Sequence, residues 1–226
     1  VSVTGDGADS LPTNERNLVL RSVKAVLERN HSSGLGIRLK LLNRIPLSRG
    51  LGSSSSAIIG GVVATNVAIG SPFSKDELLD MATRIEGHPD NVAPALFGGF
   101  TVSVMQGERV VCLRMPVPQE LKLVVCIPDF RLSTLKARQA IPELIPHQDA
   151  VFNVSRTALL VGALATGQLN YLADALEDRL HQPYRAPLIP GMDEVFAAGR
   201  QAGALGVAMS GAGPSIMAYT LDRAEA

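Results

Sequence analysis

No imbalance of charge marks this 226-residue chain, in which 21 Lys and Arg stand against 21 Asp and Glu. Nucleic acid or an acidic membrane surface therefore meets no net attractive field, and neither is expected as a partner. Cysteine is nearly absent. Cys112 and Cys126 lie in apolar, strand-like runs without metal-ligand spacing, which predicts buried, reduced thiols and a cytoplasmic setting. No long hydrophobic run occurs: residues 57–69, the longest, are broken by glycines, Thr65 and Asn66 and are too short to span a bilayer. The N-terminus, Val-Ser-Val-Thr-Gly-Asp, has neither an initiator Met nor the basic and apolar regions of a signal peptide, and reads as a domain entered at a strand. With 46% hydrophobic and only 19% charged residues, a disordered chain is excluded, and the length suits one enzyme-sized body or two joined lobes.

Apolar positions then organise the chain. Leu18, Val19, Leu20, Val23, Val26 and Leu27 recur at helical spacing and predict a helix ending near Asn30. Residues 36–43 alternate, with Ile37, Leu39 and Leu41 on one face, and predict a half-buried strand. Ser74 and Glu77 have capping-box spacing at the start of a helix over 75–84. Residues 100–104, 109–115 and 121–127 read as strands that could form one antiparallel meander. A helical pattern follows over 150–180, broken around Gly167, with a further helix over 192–202. Two strands close the pattern around Gly211-Ala212-Gly213-Pro214. Strands and helices segregated along the chain predict an α+β architecture.

The chemistry concentrates in Pro46-Leu47-Ser48-Arg49-Gly50-Leu51-Gly52-Ser53-Ser54-Ser55-Ser56-Ala57, which lies between a strand and an apolar run of helical length. A helix N-terminus exposes unpaired N–H groups and about half a positive charge, which suits phosphate. Gly50 and Gly52 let the backbone approach, and Ser53 to Ser56 offer hydroxyls to phosphate oxygens or magnesium. The Walker pattern fails because Gly52 is followed by Ser, and a dinucleotide fingerprint fits poorly. A serine-rich helix cap with turn glycines is the structural alternative.

This segment resembles the Pro-x-x-x-Gly-Leu-Gly-Ser-Ser motif of the GHMP kinases. Within that superfamily, Glu86-Gly87-His88-Pro89-Asp90-Asn91-Val92-Ala93-Pro94 with Phe97-Gly98-Gly99 is similar to the homoserine kinases. So are Pro128-Asp129-Phe130 with Ser133-Thr134 and Ala137-Arg138, and Ser210-Gly211-Ala212-Gly213-Pro214-Ser215. The resemblance implies a two-lobe GHMP kinase fold, with a ribosomal protein S5 domain 2-like N-terminal lobe over 1–115 and a ferredoxin-like C-terminal lobe over 116–226. Both would be incomplete, because the family's opening Asn-Leu-Gly-x-Gly-Phe-Asp segment and its C-terminal continuation are not in the chain.

The activity so implied is transfer of the γ-phosphoryl group of ATP, with Mg2+, to L-homoserine in threonine biosynthesis. Residues 46–56 would bind ATP, with Asn17 near the adenine, while Ser56 and Glu86 would hold magnesium, Asp80 being the fallback. Asn91 would stand with Ser56 and Glu86 at the reacting groups. Asp90, Asn91, Thr134, Arg138, Arg185 and Gly213 would contact homoserine, the two arginines taking its carboxylate through paired hydrogen bonds. His88, a lone histidine and so more often structural, is given no proton-transfer role, and no general base is named, since the loose phosphoryl transition state needs positioning and charge more than a base. A homodimer is compatible with the resemblance. The rivals are a GHMP kinase acting on mevalonate, shikimate or a sugar, and an inactive nucleotide-binding fragment. A neutral sugar would not need the arginine pair.

Overall fold

The computed structural model describes residues 1–32 and 34–221, so the last five residues of the expected C-terminal lobe lie outside the described residues. The chain forms two compact units, Val1–Leu47 with Gly52–Met115, and Ser48–Leu51 with Pro116–Ala226. The four residues 48–51 thus pack with the second unit although sequence neighbours on both sides belong to the first.

In the first unit, β1 (Ser2–Gly5) pairs in parallel with β2 (Lys40–Asn43), Ser2 opposite Lys40 and Gly5 opposite Asn43. The alternating run over 36–43 forms strand only from Lys40, because its partner is four residues long. Between them α1 (Leu18–Arg29) buries Leu20, Val23, Val26 and Leu27. Then come α2 (Ser53–Ala68), α3 (Lys75–Glu86) and α4 (Val92–Phe97). The expected capping box opens α3: the Ser74 hydroxyl accepts from the Glu77 N–H at 3.3 Å, and Glu77 accepts from the Ser74 N–H at 2.9 Å. Beyond its serine-rich first turn, helix α2 is mostly apolar, and it packs closely on α1. A Cβ on Gly61 would stand 2.7 Å from that of Ser22. The core joins Val26, Ile58, Val62, Leu79, Val92 and Val110, and each large apolar side chain so buried contributes about 1.5–3 kcal/mol. The antiparallel hairpin of β3 (Phe100–Gln106) and β4 (Arg109–Met115) completes this unit.

The run over 121–127 does not extend that hairpin. Pro116 and Pro118 cannot donate to a strand ladder and break it. Strand β5 (Lys122–Cys126) instead belongs to the second unit's antiparallel sheet, of order β5-β7-β6, with β6 (Gly206–Met209) and β7 (Ile216–Thr220). Helices α5 (Thr134–Gln139), α6 (His147–Thr166), α7 (Leu172–Ala175), α8 (Gln182–Arg185) and α9 (Met192–Gln201) accompany it. Gly167, left-handed at φ 71°, ends α6 where the sequence pattern broke. Leu132, Ile189, Met192, Phe196, Val207 and Ile216 form the core of this unit. No helix among the described residues is long and apolar enough to cross a membrane.

Candidate active site

The serine-rich segment splits into two structural parts. Gly52, at φ 72°, is the N-cap of α2 and supplies no side chain to it. The helical ladder begins with the Ser56 N–H donating to the Gly52 carbonyl at 2.9 Å, so the amides of Ser53, Ser54 and Ser55 precede the ladder. An uncapped first turn with no acidic residue is the arrangement that accepts an anion. Upstream, residues 48–51 are laced into the second unit. Gly50 (φ 74°) lies so close to the glycine loop that an added Cβ would be 2.3 Å from the Ser210 carbonyl oxygen. The Ser210 hydroxyl donates to the Gly50 carbonyl at 2.8 Å. The Arg49 guanidinium, expected on the nucleotide, donates to the carbonyls of Phe130 (2.6 Å) and Asp129 (3.0 Å). Its charged head is therefore committed to the backbone. Leu47 lies against Gly7 and is likewise a packing residue.

At the other end of α3, the Glu86 carboxylate accepts from the Ser54 hydroxyl at 2.7 Å and from the Ser55 hydroxyl at 3.2 Å. The serines bonded to Glu86 are thus Ser54 and Ser55, whereas the sequence paired it with Ser56. Ser56 lies a further 100° round the helix from Ser55, is exposed, and makes no side-chain hydrogen bond among the described residues. Asp80, the fallback ligand, accepts from the Val110 N–H at 2.8 Å and so pins β4. No group of three His, Cys, Asp or Glu side chains that could hold a metal occurs among the described residues. The donor set nonetheless fits magnesium, which characteristically takes one or two carboxylates and completes its octahedron with phosphates and water. Beyond Glu86, Nδ1 of His88 meets Oδ1 of Asp90, whose side chain is otherwise exposed. Asn91 is the N-cap of α4, yet its side chain does not cap that helix and is exposed.

In the second unit, α5 is helical from Thr134, as the Thr134 and Arg138 spacing required, and both residues are exposed. Arg185, on α8, is 8% exposed. Its Nε donates to the Ala137 carbonyl at 3.1 Å and its Nη1 to the Gly211 carbonyl at 3.2 Å. Burial holds its pKa below the usual arginine range; Asp178 favours the cation and Arg138 opposes it. The two predicted arginines are therefore electrostatic neighbours. Nη2 of Arg185 has no hydrogen-bond partner among the described residues, which leaves this cation able to take an anion. Gly213 (φ 82°) sits in the turn closed by its N–H to the Ser210 carbonyl, hard against Ile189 and Met209.

Asn17 is placed differently from its expected role at the adenine. It is 4% exposed, its Oδ1 accepts from Val19 and Leu20 N–H, and its Nδ2 donates to the Pro12 carbonyl at 2.6 Å. The Oδ1 bonds hold the start of α1 and the Nδ2 bond ties it to the preceding loop, so Asn17 is a helix cap. Sequence reasoning missed Ser210 as the anchor of the upstream loop; the signal was there in its glycine motif, which was read for backbone turns alone.

Two family models match: GHMP kinases N terminal domain over residues 17–99 and GHMP kinases C terminal over residues 160–226. The homoserine kinase of Moorella thermoacetica is 46% identical over 223 residues, covering 99% of this chain and 75% of that protein. The homoserine kinase of Gloeobacter violaceus is 49% identical over 226 residues, covering 100% and 75%. Among solved structures, homoserine kinase from Cytophaga hutchinsonii superposes with a TM-score of 0.91 at 34% identity, covering this whole chain and 73% of that one. A likeness at the level of fold alone comes from L. major mevalonate kinase, with a TM-score of 0.71 at 19% identity over 99% of this chain and 73% of that one. Likeness that runs through both halves at this identity places the chain in the homoserine kinase family of the GHMP kinases.

Proposed function

We propose that the protein transfers the γ-phosphoryl group of ATP to the side-chain hydroxyl of L-homoserine, yielding O-phospho-L-homoserine for threonine biosynthesis in the cytoplasm. The observation that carries this reading is Arg185, a buried guanidinium held by two backbone carbonyls with Nη2 left over for a substrate carboxylate. Arg138 and Thr134 join it as carboxylate contacts. Asp90 and Asn91 take the ammonium and hydroxyl ends of the amino acid. The amides of Ser53 to Ser55 receive the ATP phosphates at the open turn of α2.

The Ser54 hydroxyl and Glu86 carboxylate would hold Mg2+. When bound, the ion neutralises charge on the phosphate oxygens. No general base is assigned, because a loose phosphoryl transition state is served by orientation and fixed dipoles. The test is a panel of homoserine, mevalonate, shikimate and galactose with ATP, followed by ADP release. Homoserine alone should support turnover, and Arg185→Ala should raise its KM about 100-fold, the loss of a charge-assisted pair. Faster transfer to any other panel member sinks the substrate assignment. An unchanged homoserine KM in Arg185→Ala sinks the role of that arginine.

A further inference from the structure

Arg185 is useful to a substrate only if α8, a single turn of helix, is held in one place. Such a short helix cannot hold itself. Its bonds lead to one carboxylate seven residues upstream. Asp178 has a side chain only 13% exposed, and both of its oxygens are saturated. Oδ1 accepts from Asn153 Nδ2 on α6 at 2.6 Å and from the Leu180 N–H at 3.1 Å. Oδ2 accepts from the His181 N–H at 2.7 Å and from the Gln182 N–H. The ring of His181 adds a longer contact to Oδ1 at 3.3 Å. Asn153 closes the loop by accepting from the Arg179 N–H at 2.9 Å.

The residues so ordered carry the arginine. The Arg185 N–H donates to the His181 carbonyl at 3.1 Å, which fixes its place on the turn. Gln182 accepts from the Met209 N–H at 2.8 Å, which ties the same turn to β6 just before the glycine loop. Arg185 then spans the carbonyls of Ala137 and Gly211, on α5 and that loop.

We propose that Asp178 is a positioning residue for Arg185: through the 180–182 amides it fixes the turn from which the guanidinium presents Nη2 to the substrate carboxylate. The assignment rests on the reading of Arg185 as the carboxylate-binding residue. A carboxylate is required because both of its oxygens face N–H donors. An asparagine there would turn its own NH2 toward one pair of them. Its task is distinct from substrate contact, since every bond it makes is to its own unit. Asp178 also favours the arginine cation electrostatically.

The experiment compares Asp178→Asn, Arg185→Ala and the double variant on the enzyme, with homoserine and with 3-aminopropan-1-ol, which keeps the amine and hydroxyl but has no carboxylate. Asp178→Asn should raise the homoserine KM about 10-fold, leave the ATP KM within about twofold, and leave kcat/KM for the amino alcohol unchanged. The double variant should be no worse than Arg185→Ala alone, since residues acting as a unit are non-additive. An unchanged homoserine KM, an equal loss on both substrates, or additivity in the double variant overturns the proposal. If Asp178→Asn does not fold, Asn153→Ala removes one of its bonds. That variant should show the same selective effect at about threefold, and no change or a uniform loss overturns the proposal equally. An Arg185→Ala enzyme with unchanged homoserine KM would bring down the parent reading, an outcome separate from a failure confined to Asp178.

Discussion

Gly50→Ala would test how tightly the loop upstream of α2, the proposed phosphate loop, is built. An ideal Cβ at this position stands 2.3 Å from the Ser210 carbonyl oxygen and 3.0 Å from that of Gly213. Real Cβ atoms do not approach so closely, and both obstacles are backbone, so the 48–51 and 210–213 loops must part by about 1 Å. The left-handed φ of 74° adds about 1–2 kcal/mol for any residue with a Cβ. Parting the loops also strains the Ser210 hydroxyl bond to the Gly50 carbonyl, which is worth about 1 kcal/mol. A total of about 2–3 kcal/mol should lower the melting temperature by roughly 4–12 °C in a chain of this size. Displacement of a positioning loop by about 1 Å costs about 100-fold in turnover. Steady-state kinetics and a thermal melt on the same preparation measure both. Gly52→Ala is the comparison, since its φ of 72° carries the same backbone penalty while nothing lies within 4 Å of an added Cβ. A Gly50→Ala enzyme within about threefold of the parent in kcat/KM would refute the loop-to-loop argument.

Asn17→Ala removes three hydrogen bonds at the start of α1 and should cost about 2 kcal/mol, or roughly 4–8 °C of melting temperature, with the ATP KM unchanged. A tenfold higher ATP KM without a change in melting would restore its nucleotide role. Ser54→Ala should lower kcat/KM for ATP about 10-fold or more and raise the magnesium needed for half-maximal rate, whereas Ser56→Ala should stay within about twofold. The reverse order overturns the Ser54–Glu86 pairing. Acid stability offers a fourth check, at Asp178. Burial alone would raise its pKa, but hydrogen bonds from the His181 ring, the Gln182 amide, Asn153 and the His181 amide outweigh it and hold the carboxyl well below the usual range. A group depressed on folding stabilises above its ordinary pKa of 3.8, and that contribution is lost as pH falls from there toward the folded value. Melting temperature between about pH 5 and pH 3 should therefore fall less in Asp178→Asn than in the parent. Parallel curves would refute this.

Features whose partners are sequence neighbours were legible without coordinates. The Ser74–Glu77 box, the left-handed stop at Gly167 and the glycine turn before Pro214 all close within a few residues, so local chemistry specifies them. Arg138 and Arg185 were singled out only through motif context, and the burial of Arg185 could not be read from the sequence, since a lone arginine says nothing of burial. What was not legible needed three-dimensional phase. Which serine of four meets Glu86 depends on how α2 is rotated against α3, 32 residues away for Ser54. Arg49 and Asn17 carry groups that nucleotides also bind, and only coordinates reveal that backbone carbonyls and amides have already taken them. The partner of β5 lies 90 or more residues downstream, beyond the reach of any periodicity.

The membership of residues 48–51 in the second unit has a consequence for how this protein can be divided. A gene split after residue 115 would hand the second half a body stripped of its own internal segment. That half would lose the Ser48 carbonyl that receives Leu132, the Arg49 carbonyl that receives Ser215 and the Gly50 carbonyl that receives Ser210. It would also lose the guanidinium that holds the 129–130 carbonyls. The halves are therefore not exchangeable modules: recombination between relatives that keeps the second half native must carry residues 48–51 along with it, so these four positions and the far half of the gene are expected to be inherited together.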